Sequence, residues 1–359
     1  MKRIAALISA VLVTAAAGGC SWRETAPDKA QESVQVFAMD TAMVITAYGE
    51  EATRAAYAAE EEIYRLDSLL SRTNSASEIS ILNDAEGKIV PVGTEICGLI
   101  QKAGTYTKAT GGAFDITIAP VVSAWGFTTD RYQVPSQETL EELLTHVGMD
   151  HVHLLDQSSA ASGYKDASLD PGTRIDLGGI AKGYASDQVA EIFREHQVPR
   201  GLVSLGGNVL AWGDRPDGQA WRVGIQDPRE PESADAFAGV LQLEDAFAVT
   251  SGSYERFFVQ DGRTYHHIID PATGCPAESG LTSVTVVADS EAGNGAMCDT
   301  LSTALFVMGE DRALEFWRSG AYDFEMVLVT EDGRVAVTQG LEQSFIKMEE
   351  RGYTYEIIS

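Results

Sequence analysis

The chain has 359 residues, with 53 Asp and Glu against 26 Lys and Arg, and a formal net charge of −27. That acidity argues against nucleic acid as a partner, which wants a basic face, and it repels a phosphate ester at long range unless the site brings its own cation or oriented amides. Four cysteines are too few for a disulfide framework, whereas an apolar content of 44% is enough for one large core or two interlocked ones.

In chain order, Lys2 and Arg3 precede an apolar run from Ile4 to Ala17, followed by Gly18, Gly19 and Cys20. A basic start, a short apolar stretch and small residues directly before a cysteine read as a bacterial lipoprotein signal over residues 1–19, with a diacylglycerol on the Cys20 thiol. An ordinary cleaved signal is the alternative, because Ala17 stands where such boxes usually have Leu. The run is shorter than the ~18 apolar residues a membrane-spanning helix needs. Residues 20–33 are polar and aperiodic, which suits a tether, and a single domain is expected over 34–359. The expected location is extracytoplasmic, on the bacterial cell membrane through the lipid.

Residues 41–48, rich in β-branched side chains and closed by Gly49, read as a strand. From 51 to 70, Ala56, Ala59, Ile63, Leu66 and Leu70 recur at spacings of three and four, which predicts an amphipathic helix. Further helices are expected over 95–108, 137–147 and 180–196. A strand over 201–205 runs into Gly206-Gly207, and strands at 209–213, 221–225, 239–249, 281–288, 324–331 and 343–349 surround helices at 291–307 and 310–318. No regular βα alternation appears, so the class is α+β with mainly antiparallel sheets and packed helices.

Several segments carry candidate chemistry. On a helix, Asp299 and Thr303 stand one turn apart on one face, and together they offer oxygens to a hard cation. One carboxylate and one hydroxyl do not complete magnesium's octahedron, so such a metal would bind together with a phosphorylated ligand. In Ile175-Asp176-Leu177-Gly178-Gly179-Ile180-Ala181-Lys182, two glycines lead into a helix, where the backbone can approach a ligand and Lys182 can reach an anion; a plain strand-to-helix turn has the same pattern. The spacing matches neither a dinucleotide fingerprint nor a P-loop. Ser204 to Asn208 is either another close approach or a hairpin turn. His266 and His267 precede Asp270-Pro271-Ala272-Thr273-Gly274. A histidine there serves as a proton acceptor for a nucleophilic hydroxyl, as a donor to phosphate, or only as a structural residue beside the turn; strand neighbours face opposite ways and no third ligand is spaced for zinc. In Gly112 to Thr117, Phe114 offers a ring surface and Asp115 an acceptor, and Ser251 with Gly252 offers small polar contacts.

In order along the chain, Phe37 to Thr41, Leu70-Ser71-Arg72 with Ser77 to Asn83, Gly112 to Asp115, Trp125 to Phe127, Asp176 to Tyr184, Ser204 to Asn208, Thr250 to Arg256, His267 to Gly274 and Asp299 to Thr303 together resemble the ApbE family of FAD:protein FMN transferases. The resemblance implies a T-fold-like core and FAD as substrate, with contacts from Met39, Thr73, Ala113, Phe114, Asp115, Asp176, Lys182 and Ile268. It implies Mg2+ held by Asp299, Ser302, Thr303 and the Gly179 carbonyl, with Asp299 and His267 in catalysis. The implied reaction places FMN on a threonine or serine of an exported or membrane flavoprotein and releases AMP. The alternatives are a magnesium-dependent FAD pyrophosphatase and a non-catalytic flavin-binding lipoprotein. Thr73 departs from the pattern, since related sequences often carry an aromatic residue there.

Overall fold

The first hairpin shows how side-chain alternation builds this molecule. β1 (Gln31–Ala38) and β2 (Thr41–Tyr48) pair antiparallel from Gln31↔Tyr48 to Ala38↔Thr41. Val34, Val36 and Ala38 turn inward, while Gln31, Ser33, Gln35 and Phe37 face out. Met39 and Asp40 close the turn at φ 49° and 56°, the positive values a type I′ hairpin needs. The strand therefore begins inside the segment expected to be a tether, because paired backbone and a Ser33 Oγ to Thr46 Oγ1 contact of 3.0 Å accommodate its polar residues.

This computed structural model describes residues 30–129, 131–155 and 163–359; the predicted signal, Cys20 and most of the tether lie outside them. After the hairpin come α1 (Ala52–Leu70), α2 (Glu78–Asn83), β3 (Val90–Gly93), α3 (Thr94–Ala109), α4 (Ala119–Trp125), α5 (Gln137–Leu144), β4 (Val152–Leu155), β5 (Tyr164–Leu169) and α6 (Gly178–Glu195). Then follow β6 (Arg200–Ser204), β7 (Asn208–Trp212), β8 (Trp221–Gln226), β9 (Phe237–Leu243), β10 (Ala246–Gly252), β11 (Phe257–Gln260), β12 (Arg263–His266) and β13 (Leu281–Asp289). The described chain closes with α7 (Asn294–Met308), α8 (Glu310–Arg318), β14 (Glu325–Thr330), β15 (Arg334–Thr338), β16 (Phe345–Lys347) and β17 (Thr354–Ile358).

A nine-stranded sheet in the order β1-β2-β6-β7-β10-β13-β14-β15-β17 forms the middle layer. Its named strand pairs are antiparallel except β15 with β17. Period-two alternation feeds two cores: Val203, Leu210, Phe247, Val249, Val284 and Val286 face α1, α6 and α7, while Leu202, Ala211, Ala246, Ala248 and Val287 face the three-stranded sheet β16-β9-β8. A third, smaller cluster joins Trp125 and Phe127 to Leu140 and to Phe258 and Tyr265 of the β11–β12 hairpin. The expected 239–249 strand is two strands, because the chain turns at Asp245 with φ 45°.

α7 is buried nearly all round, from Gly295 to Ser302 and again from Ala304 to Phe306, as expected of a helix between a sheet and other helices. It crosses α6 backbone to backbone. A Cβ on Gly183 would stand 2.2 Å from the Gly295 carbonyl oxygen and 2.6 Å from Asp299 Cβ, so only glycine permits this approach. Cys97, Cys275 and Cys298 are free thiols.

Candidate active site

Two aspartates are exchanged across that glycine contact. Asp187 of α6 accepts the backbone amides of Gly293, Gly295 and Ala296 at 3.1, 2.8 and 3.0 Å, capping the start of α7. Asp299 of α7 accepts the Gly183 amide of α6 through Oδ2 at 2.8 Å. Burial raises the Asp299 pKa, against the pull of Lys182 and of the Gly183 and Lys182 amides.

One turn on, Ser302 Oγ and Thr303 Oγ1 lie 2.8 and 3.2 Å from Ser251 Oγ at the end of β10. Among the described residues no three His, Cys, Asp or Glu side chains gather as a metal site. What gathers instead is a hard-oxygen set: one carboxylate, the hydroxyls of Ser302, Thr303 and Ser251, and the first turn of α6. That donor chemistry suits magnesium and leaves coordination positions to be filled by water or phosphate oxygens.

Gly178 and Gly179 are the first residues of α6, and Lys182 follows one turn further on. Gly179 and Gly183 stand one turn apart on α6, and it is Gly183 that meets α7. An edge atom of the Phe114 ring lies 2.9 Å from where a Gly179 Cβ would stand, so buried Phe114 rests on this turn. Asp176 fixes the turn from below: its amide donates to Ile116 O at 2.7 Å, and its Oδ1 accepts from the Gly178 amide at 2.9 Å. Its Oδ2 lies 2.9 Å from Arg72 Nε. Asp115 is buried, and its Oδ1 accepts from Thr117 N and Oγ1 at 2.8 and 2.6 Å; burial raises its pKa against these bonds.

Lys182 Nζ donates to Gly206 O at 3.1 Å across the β6–β7 turn. Gly206 in turn touches Thr41, whose Cγ2 would stand 2.0 Å from a Cβ there. The neighbouring Met39 is held at positive φ by its amide's bond to Asp67 Oδ1 at 2.8 Å. Thus the Met39 loop, the Gly206 turn and Lys182 form one wall.

The opposite wall is the β11–β12 hairpin. The His267 amide donates to Arg256 O at 3.0 Å, and His267 Nδ1 lies 3.3 Å from the same oxygen. A carbonyl only accepts, so Nδ1 carries the proton and Nε2 keeps its lone pair. Burial first, then Arg256, His266 and Lys182, push the imidazole pKa down to about 3, so the ring is neutral at pH 7. Glu255 leans over the Gly207 turn, with Oε1 3.1 Å from where a Cβ would stand. Its pKa is raised by surrounding protein and by Asp299, against Lys182 and Arg256. Glu255 and His267 retain water-accessible surface although protein encloses them, which marks them as walls of a crevice, and that hydration eases the burial cost.

The structure therefore brings together Lys182, Asp299, Ser302 and Thr303 at the α6–α7 crossing, with Gly179 one turn earlier against Phe114, Ala113, Asp115 and Asp176 in the segments around that turn, Met39 beyond Gly206, and His267 with Ile268 just after β12. Thr73 is exposed and hydrogen-bonded to Ser71; only the adjacent Arg72 ties it to this cluster. Arg72, Glu255 and Arg256 stand inside stretches that carry the family resemblance, but no role for them was legible in the sequence. The acidic-basic pair that follows Ser251-Gly252-Ser253-Tyr254 was the available signal, but one charged dipeptide after a strand is ordinary.

A sequence profile described as the ApbE family matches residues 39–328. The FAD:protein FMN transferase of Treponema pallidum is 30% identical over 344 residues, covering 92% of each chain. That of Escherichia coli K12 is 32% identical, covering 75% of this chain and 72% of its own. The crystal structure of an ApbE protein from Thermotoga maritima superposes with a TM-score of 0.78 at 33% identity, covering 88% of this chain and 99% of that one.

Proposed function

This chain belongs to the ApbE family of flavin transferases, and we propose that it moves the FMN half of FAD to a threonine or serine hydroxyl of an acceptor flavoprotein, releasing AMP in a magnesium-dependent reaction. The observation that carries this reading is the hard-oxygen set around Asp299, which lies beside Gly183 and Lys182 of α6, with Lys182 also close enough to act on His267. A cation-assisted phosphoryl transfer needs these parts, and an acidic chain needs them gathered in one place.

In this reading the acceptor hydroxyl oxygen bonds to the FMN phosphorus as the bond from that phosphorus to the bridging oxygen breaks. AMP leaves with the bridging oxygen, and the hydroxyl proton passes to His267 Nε2. Asp299, Ser302, Thr303 and the Gly179 carbonyl would hold the magnesium, which when bound would offset pyrophosphate and leaving-group charge. Lys182 supplies a fixed cation, Asp176 and Arg72 hold the glycine turn in place, and Phe114 supports it from behind.

The test is to mix the protein with FAD, magnesium and a threonine-bearing acceptor domain, then to follow covalent FMN by mass spectrometry and AMP by chromatography. Flavinylated acceptor with stoichiometric AMP is expected. AMP and free FMN without acceptor labelling would mark a pyrophosphatase instead, and neither product with a competent acceptor would sink the proposal. We also infer from residues 1–20 that Cys20 is lipidated and that the enzyme works outside the cytoplasm, on the membrane. Cys20→Ser should then move the protein from the membrane fraction to the soluble one, and an unchanged fractionation would reject the anchor.

A further inference from the structure

We propose that Arg256 is a catalytic residue whose guanidinium binds the non-bridging oxygens of the phosphoryl group being transferred and holds the charge that gathers there as the bond to AMP breaks. The assignment rests on the phosphoryl-transfer reading above.

Register places the side chain. β11 and β12 pair Phe257 with His266, and the His267 amide to Arg256 carbonyl bond of 3.0 Å carries the ladder one pair further. Arg256 therefore stands opposite His267, and directly opposed residues project from the same face of a hairpin. Phe257 and His266 project from the other face. The His267 ring is set by an edge contact with Phe127, with centroids 6.4 Å apart. Arg256 thus shares its face with the proposed proton acceptor.

Charge then singles it out. Acidic side chains outnumber basic ones two to one in this chain, and most of its arginines are held by a carboxylate, as Arg72 is by Asp176 and Arg334 by Glu310. Arg256 is exposed, and among the described residues its guanidinium forms no ion pair or hydrogen bond. Glu255, its neighbour in sequence, leans over Gly207 instead. Lys182, the other cation of the crevice, already spends a donor on Gly206 O. Arg256 is the crevice cation with its whole donor fork free, and a planar fork of five N–H groups matches the oxygens of a phosphoryl group. With base and cation on one face, proton removal and charge stabilisation meet at the same phosphorus.

Arg256→Ala and Arg256→Lys test this in the full chain with FAD, magnesium and acceptor, reading AMP release, acceptor labelling and FAD binding by flavin fluorescence. In Arg256→Ala, kcat should fall about 10²–10³-fold while FAD affinity changes less than about fivefold, because the contact strengthens in the transition state. Arg256→Lys should fall between it and the parent, and added guanidinium ion should restore part of the turnover of Arg256→Ala alone. Arg256→Ala that keeps kcat within about threefold of the parent overturns the assignment. So does a variant that binds FAD, stays inactive and gains nothing from guanidinium. A parent that binds FAD but yields neither AMP nor labelled acceptor overturns the transferase reading, and this assignment with it.

Discussion

Asp187 and Asp299 face each other across one helix crossing, yet they do opposite work. Both are carboxylates in helices, both are buried, and both have pKa values raised by burial, Asp187 to about 6. Asp187 receives three amides from the start of α7 and is saturated by backbone. Asp299 receives Gly183 on Oδ2, with the Lys182 amide beside it, and keeps more acceptor capacity than Asp187 does. A buried carboxylate whose lone pairs are filled by its own fold is a joint, and one left unfilled is a binding group.

The largest effect that tests this contrast is Asp299→Ala, which should reduce AMP release by about 10³-fold or more while the protein stays folded, since catalysis and not the fold depends on the unfilled oxygens. Turnover surviving in that variant would break the contrast. Next, His267→Gln should cost about 10²–10⁴-fold in transfer. Because the enclosing protein, Arg256, His266 and Lys182 all push the imidazole pKa down, kcat/KM should show no acid limb from this group near pH 6.5. A limb near pH 6.5 that disappears in His267→Gln would contradict that.

Asp187→Ala should instead lower unfolding free energy by about 2–3 kcal/mol in urea, since it strands three buried amides, and kcat of the folded fraction should change little. Gly183→Ala should cost about 1–3 kcal/mol through overpacking against Gly295, and it should weaken activity by pushing on Asp299.

The last test is in pH dependence. The folded pKa of Asp187, about 6, lies above its ordinary 3.8. Its stabilising contribution is therefore full below about pH 4 and is lost as pH rises through 6, by at most about 3 kcal/mol. Asp187→Asn should flatten the pH 4–7 stability profile relative to the parent, and an identical slope in the two proteins would argue that the three amides already offset the burial.

How much of this was legible follows the range of the interactions. The 41–48 strand, the helix ending at Leu70 and the helix over 310–318 match β2, α1 and α8 because period and punctuation are local. The one-turn spacing of Asp299 and Thr303 was likewise visible, as was the need of an acidic chain for a local cation. β1 was partly hidden, since Gln31 to Ser33 look like linker until β2 pairs with them. The short strands β3, β4 and β5, and the β11–β12 hairpin, carry too few residues for a periodic signal.

Local sequence thus determined the helices, the alternating strands, the excess of acid and the one-turn spacing of Asp299 and Thr303, because each depends on composition or on neighbours within a turn or a pleat. Tertiary structure alone decided which aspartate is saturated and that Arg72 is paired while Arg256 is not. Those outcomes depend on hydrogen-bond partners and on loss of water brought about by segments far apart in the chain: α6 against α7, and Arg72 against Asp176.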